Sequence, residues 1–191
     1  AMFAVRNGLP ADAALEAITL QPARMLQVDD RVGSLEAGKD ADFVVLSGEP
    51  FSIYTRVLQT WIEGEKLFDL SNDTQRLYQT GGFPLAGRVE IPKQANLVAA
   101  SKPVAQPAQP AKSKSATTDD KRFAIYAGRV HTVSDGTVKN GVVFVEDGKI
   151  AYAGPRGPFN LPPGVPVLTA AEVTPGLIDT HTAVPLAGEY N

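Results

Sequence analysis

Two histidines and one short apolar run carry most of the chemical promise of this 191-residue sequence. His181 closes the run Pro175-Gly176-Leu177-Ile178-Asp179-Thr180-His181, which reads as a buried strand delivering an Asp and a His to its C-terminal end. His131 lies in Val130-His131-Thr132-Val133, an alternating strand position, and is expected to be structural. A catalytic zinc commonly takes three protein ligands, often several histidines. Two histidines do not complete a His-based site within one copy of the chain. No cysteine is present, which removes disulfides, thiolate metal sites and a cysteine nucleophile. The sequence offers no nucleophile–base pair, phosphate loop or basic aromatic surface.

The elements around these residues divide into two β-rich blocks. Residues 9–27 carry an i, i+3, i+4 apolar stripe at Ala14, Leu15 and Ile18, with Asp12 near its start. Pro22 fits the first position of a second short helix, with Met25 and Leu26 facing inward. Residues 32–36 are extended, and Ala37-Gly38-Lys39-Asp40 is a turn in which the Lys39 head is solvated. Residues 42–47 and 56–63 follow as strands, with Trp61 in the core. Glu63-Gly64 makes a tight turn, and a short helix covers about 73–79. The second block has strands at 123–128, 130–133, 142–145 and 150–153, with Asp147-Gly148 as a hairpin turn. Residues 155–166 form a Pro/Gly-rich loop, and 167–169 a further strand. Between the blocks, residues 101–121 are rich in Pro, Ala, Lys and Ser without apolar period, so they cannot bury enough surface to offset their ordering entropy. They read as a solvated spacer, although Pro107-x-x-Pro110-x-Lys112 superficially resembles a ligand for Pro-binding modules.

A formal net charge of −3 gives no nucleic-acid footprint. No apolar run has the length of a transmembrane helix, and Ala1–Gly8 lacks the pattern of a signal peptide. A soluble protein is expected, with cytoplasm and periplasm both open. The opening Ala1-Met2-Phe3 is expected to continue from residues upstream.

Two segments resemble one family. The first is Arg31-Val32-Gly33-Ser34-Leu35-Glu36-Ala37-Gly38-Lys39-Asp40-Ala41-Asp42-Phe43-Val44-Val45-Leu46, preceded by Gln21-Pro22-Ala23-Arg24. The second is Gly148-Lys149-Ile150 together with Val173-Thr174-Pro175-Gly176-Leu177-Ile178-Asp179-Thr180-His181. Both look like the amidohydrolase superfamily, in its imidazolonepropionase-like or dipeptidase-like branch. The resemblance covers most of residues 1–80 and 122–183.

The resemblance implies a metal-bearing (β/α)8 barrel beside a composite β-sandwich, one part of which precedes the barrel in sequence and the other follows it. Here the order is reversed. Residues 1–29 match the helical tail of a preceding barrel, 30–80 the after-barrel part of the sandwich, 81–121 a linker, 122–174 the before-barrel part, and 175–191 a truncated first barrel strand. The expected fold is mainly β, a composite β-sandwich with short N-terminal helices and no complete (β/α)8 barrel. Either the chain joins the tail of one unit to the head of the next, or its parent is permuted. The two halves would then pair and cover edges that otherwise invite aggregation.

The family's first barrel strand supplies two metal ligands as His-x-His, since residues i and i+2 of a strand point the same way. Here the triplet is His181-Thr182-Ala183, and Ala183 cannot bind metal. His181 is thus the one candidate ligand. The resemblance implies a parent that hydrolyses amide or cyclic amide C–N bonds of small molecules with a divalent metal, zinc first, that lowers the pKa of bound water. This chain alone is expected to hold no metal and to be inactive. Its expected partners are the barrel segments of the same parent and a second copy through the sandwich, with no nucleic acid and no membrane. The alternative is a non-catalytic structural or dimerisation module.

Overall fold

A computed structural model describes residues 1–80 and 122–180. The expected linker and the end of the Pro175–Asn191 segment, with His181 and Ala183, lie outside the described residues.

Three short helices open the chain: α1 (Met2–Arg6), α2 (Ala11–Glu16) and α3 (Leu20–Met25). Strands β1 (Phe43–Leu46), β2 (Val57–Ile62) and β3 (Glu65–Asp69) follow, then α4 (Asp73–Thr80). Asn72 caps α4 by accepting from the amides of Thr74 and Gln75 at 3.0 and 3.2 Å. The second half contributes β4 (Arg122–His131), β5 (Thr137–Glu146), β6 (Lys149–Pro155) and β7 (Val167–Pro175).

All seven strands join one sheet in the order β3-β2-β1-β7-β4-β5-β6. The two halves meet at its centre. β1 pairs antiparallel with β7 from Phe43 opposite Pro175 to Leu46 opposite Glu172. β7 runs parallel to β4. The mainly β architecture with short N-terminal helices is therefore present, and the described residues form no complete (β/α)8 barrel.

One curled sheet supplies the two facing layers that a sandwich requires. Trp61 on β2 and Phe123 on β4 are three strand positions apart, about 14 Å in a flat sheet. Their ring centroids are 4.5 Å apart, and Phe43 stacks on Trp61 at 5.7 Å. The curl brings 38–41 onto β6: Gly38 N–H donates to Ile150 O, Ile150 N–H to Lys39 O, and Ala41 N–H to Gly148 O. The inner core thus draws on both halves, with Phe43, Val45 and Trp61 against Phe123, Val143 and Val173. Burying each large aromatic contributes about 2–3 kcal/mol. A smaller cluster on the outer face, around Val142 and Phe144, lies under Phe159 and Leu161 of the 155–166 loop.

Two tight turns from different halves stack on each other. Glu63-Gly64 and Asp147-Gly148 both have positive φ at each residue, the pattern of a type I′ hairpin turn. A Cβ on Gly148 would stand 2.7 Å from the Glu63 carbonyl oxygen, and one on Gly64 would stand 2.9 Å from Gly148 Cα. Glycine at both sites is what allows the approach.

Several local expectations are corrected. Met25 and Leu26 are 77% and 51% exposed rather than inward, because α3 buries Leu20, Pro22 and Ala23 instead. Pro22 is the third residue of that helix, not its first. Residues 32–36 form no strand: 32–34 bend, and 35–36 lie outside any regular element. The regular strand expected over 56–63 carries a bulge: the register of β2 against β1 shifts between Val45 and Leu46 and skips Leu58, so Leu58 packs on the same core as Trp61. Lys39 is buried, with Nζ donating to Ser34 Oγ at 2.6 Å and 3.4 Å from Glu36. Residues 176–180 leave the sheet: β7 ends at Pro175, where its partner β1 begins at Phe43. Gly176 and Ile178 keep one hydrogen bond each, to the carbonyls of Asp42 and Ile18.

Candidate functional site

Besides the buried Lys39–Ser34 pair, three places among the described residues are candidates for a site. The first is a groove of about 470 Å³ between α2, the outer side of β1 and β2, and the segment leaving β7. Leu15, Val44, Val57, Ile62 and Leu177 contribute apolar wall, and Asp42 is the charged lining residue. Ile62 and Leu177 are 45% and 63% exposed, and Ile53 and Tyr54 nearby 68% and 85%. Asp42 Oδ1 accepts from the Glu63 amide at 2.8 Å. Burial pushes the Asp42 carboxyl above its ordinary range; the Glu63 amide and Arg31 oppose this, while Asp40 and Glu63 add to it.

The second is Asp40, whose side chain is 4% exposed. Arg31 Nε donates to its Oδ2 at 2.9 Å, and Lys149 Nζ from the other half donates to Oδ1. Burial works to raise the Asp40 pKa, but these two cations outweigh it and hold the carboxyl below its ordinary value.

The third is built by sheet register. Arg129 on β4 stands opposite Glu172 on β7, and His131 is two residues further along the same strand, so both flank the carboxylate. Glu172 is 3% exposed. Its Oε1 accepts from Arg129 Nε at 2.9 Å, and its Oε2 lies 2.7 Å from His131 Nε2. Arg129 also reaches Glu49 at 3.2 Å, and hydrogen bonding to Glu172 raises its pKa further. His131 Nδ1 is 2.9 Å from Thr137 Oγ1, which stands 3.3 Å from Asp12 Oδ1 on α2.

His131 is thus brought into a buried network, whereas His181 lies outside the described residues. Asp179 is exposed and has a partner of its own. Asp40, Arg129 and Glu172 escaped sequence reasoning. The available signal was a lone acid inside an apolar strand, Ala171-Glu172-Val173, which demands a buried cation nearby.

These residues do not suit a catalytic metal. No three His, Asp or Glu side chains among the described residues are placed to share an ion. Both oxygens of Glu172 already face Arg129 and His131, and both oxygens of Asp40 face cations. No described helix is long and apolar enough to cross a membrane.

Residues 2–68 match the model of the Amidohydrolase family. The chain is 42% identical over 62 residues to the amidohydrolase tasK of Hapsidospora irregularis, covering 32% of this chain and 6% of that protein. It is 39% identical over 66 residues to the N-acetylglucosamine-6-phosphate deacetylase of Danio rerio, covering 35% of this chain and 15% of the relative. The Bos taurus deacetylase is 40% identical over 68 residues, covering 36% and 15%. The chain therefore spans only a small part of these relatives. Since 62 residues are 6% of the Hapsidospora protein, it is about a thousand residues long, and 66 residues at 15% make the fish deacetylase less than half of that. No solved structure matches significantly.

Proposed function

We propose, for a chain that belongs to the amidohydrolase superfamily, that these residues are the composite non-barrel module of a C–N hydrolase. The observation that carries this reading is the β1–β7 ladder. It joins a strand from the segment matching the family to one from the segment expected before a barrel. The parent's reaction is hydrolysis of an amide or cyclic amide with a divalent metal, whose ligands come from residues other than the described ones. The deacetylase relatives support the C–N bond class, since removal of an N-acetyl group breaks one.

The groove is where the rest of the parent packs. Its walls are apolar, Leu177 and Ile62 are exposed beside it, and the backbone leaving β7 runs along it. Supplied with neighbours, the 175–191 segment becomes the first strand of a barrel. A tandem parent gains support from the Hapsidospora relative, which is long enough to hold two units of deacetylase size.

The test is an assay of the 191-residue chain with zinc, manganese or cobalt against N-acetylglucosamine 6-phosphate, cyclic amides and dipeptides. The expected result is no metal-dependent turnover, and clear turnover overturns the reading. Ala183 favours a second reading, in which the following unit has lost its metal site and serves as scaffold. Metal analysis of the parent separates the two, since bound metal speaks against a wholly structural protein.

A further inference from the structure

The Glu172–His131–Thr137–Asp12 line crosses from β7 through β4 and β5 to helix α2, and its links are 2.7, 2.9 and 3.3 Å. Thr137 has one hydroxyl hydrogen and two neighbours able to accept it. The donor pattern is set from the buried end. Glu172 Oε1 accepts from Arg129, and Oε2 faces His131 Nε2, which therefore carries a hydrogen. In neutral His131 the other nitrogen, Nδ1, is then an acceptor. The Thr137 hydroxyl donates to it, and nothing donates to Asp12 from that side. When His131 gains a proton, Nδ1 becomes a donor. Thr137 Oγ1 then accepts, and its hydrogen turns to Asp12.

We propose that the protonation state of His131 decides, through the single hydroxyl hydrogen of Thr137, whether Asp12 of helix α2 is hydrogen-bonded to the sheet, on top of the packing of Ala14 and Leu15 that holds the helix in either state. Histidine is the side chain that ordinarily takes up a proton between about pH 5 and 8. The charged groups around it are Arg129 on its own strand, Glu172 on β7, Glu49 after β1 bound to Arg129, and Asp12 on α2. Lys139 stands opposite Arg129 on β5, and Asp135 lies in the connecting turn. Of these, only Asp12 gains or loses a hydrogen bond when the hydroxyl turns. The effect reaches the groove, because Leu15 of α2 lines both the groove and the small pocket beside His131. It holds whatever fills the groove.

The same order of carboxylate, imidazole and hydroxyl is that of an acyl-transfer relay. That reading fails here. The space beside Thr137 holds about 10 Å³, and the Asp12 carboxylate stands in it, where an oxyanion would need donors.

The test is hydrogen exchange at the α2 amides of Ala14 and Ala17, which donate to the carbonyls of Pro10 and Ala13. Protection factors, corrected for the intrinsic rate, are followed from about pH 8 to pH 5. The chain should show a rise of about threefold, the size of a weak hydrogen bond. Thr137→Ser should keep the rise, and Thr137→Val and Asp12→Ala should lose it. Equal protection at both pH values in the unaltered chain overturns the proposal, as does a rise that survives in Thr137→Val. A nitrogen-15 spectrum of the unaltered chain at high pH gives an answer that depends on no variant. It should show the hydrogen of His131 on Nε2, and a hydrogen on Nδ1 overturns the proposal.

Discussion

Strand β1 divides two environments. On its inner side Phe43 and Val45 meet Trp61, Phe123 and Val173, and three of these five come from the first half of the chain and two from the second. On its outer side Val44 and Leu46 form part of a groove whose rim leaves Ile62 and Leu177 exposed. The seam is closed by matched pieces: a full β ladder, Phe123 packed against Phe43 and Trp61, two turns in contact, and a buried acid clamped by a cation from each half. The groove has apolar wall and a desolvated carboxylate but no such closure. The difference teaches which contacts this chain makes for itself and which, on the proposed reading, it leaves to the rest of a parent protein.

The largest expected effect breaks the seam. Phe123→Ala removes a 6% exposed ring packed against both Phe43 and Trp61 and should cost about 3–5 kcal/mol, measured by urea unfolding. A loss below 1 kcal/mol would mean that the halves do not share this core.

Asp40→Asn should cost on the order of 2 kcal/mol at neutral pH, because a buried charge-assisted pair joins the halves there. The pH dependence has a definite sign. A carboxyl held below its ordinary value stabilises the fold above its unfolded pKa and loses that contribution as pH falls through the folded value. The gap between the unaltered chain and Asp40→Asn should therefore close below about pH 4, as two stability-versus-pH curves would show.

The smallest effects belong to the groove. Asp42 is raised by burial, so its ionisation costs stability as pH rises from the unfolded pKa, and the cost is complete above the folded pKa. Asp42→Asn can still accept from the Glu63 amide, and should leave stability at pH 7 unchanged or higher by a few tenths of a kcal/mol, since solvent screens this half-exposed group. Ile62→Asp should change the stability of this chain by less than about 0.5 kcal/mol, as exposed positions do. In the parent it should loosen packing of the remainder, seen as faster proteolysis. A large loss of stability from Ile62→Asp in this chain alone would erase the contrast between seam and groove.

The sequence made the strands legible wherever apolar runs stood between Gly turns. Glu63-Gly64 and Asp147-Gly148 are the turns their residues demand. Strand lengths were less legible. β5 begins at Thr137, five residues before its apolar part, because pairing with β4 orders a polar stretch that has no pattern of its own. The Leu58 bulge and the curl were invisible, since both are set by partners distant in sequence. At the site, His131 stood out as a residue type, but its network did not. It depends on β4–β7 register, which places Arg129 opposite Glu172 across 43 residues of sequence. The family match falls on residues 2–68 and not on the Pro175–His181 run, of which the described part is strand only at Pro175, because pairing stops where β1 does.

The central claim is that residues 1–80 and 122–180 form one folding unit across β1 and β7. It is tested most directly by placing a protease site within 101–121, cutting there, and following the products by gel filtration and thermal unfolding. The account predicts that the two pieces stay together and unfold in a single transition. Pieces that separate after the cut, or that melt in two independent transitions, would contradict it.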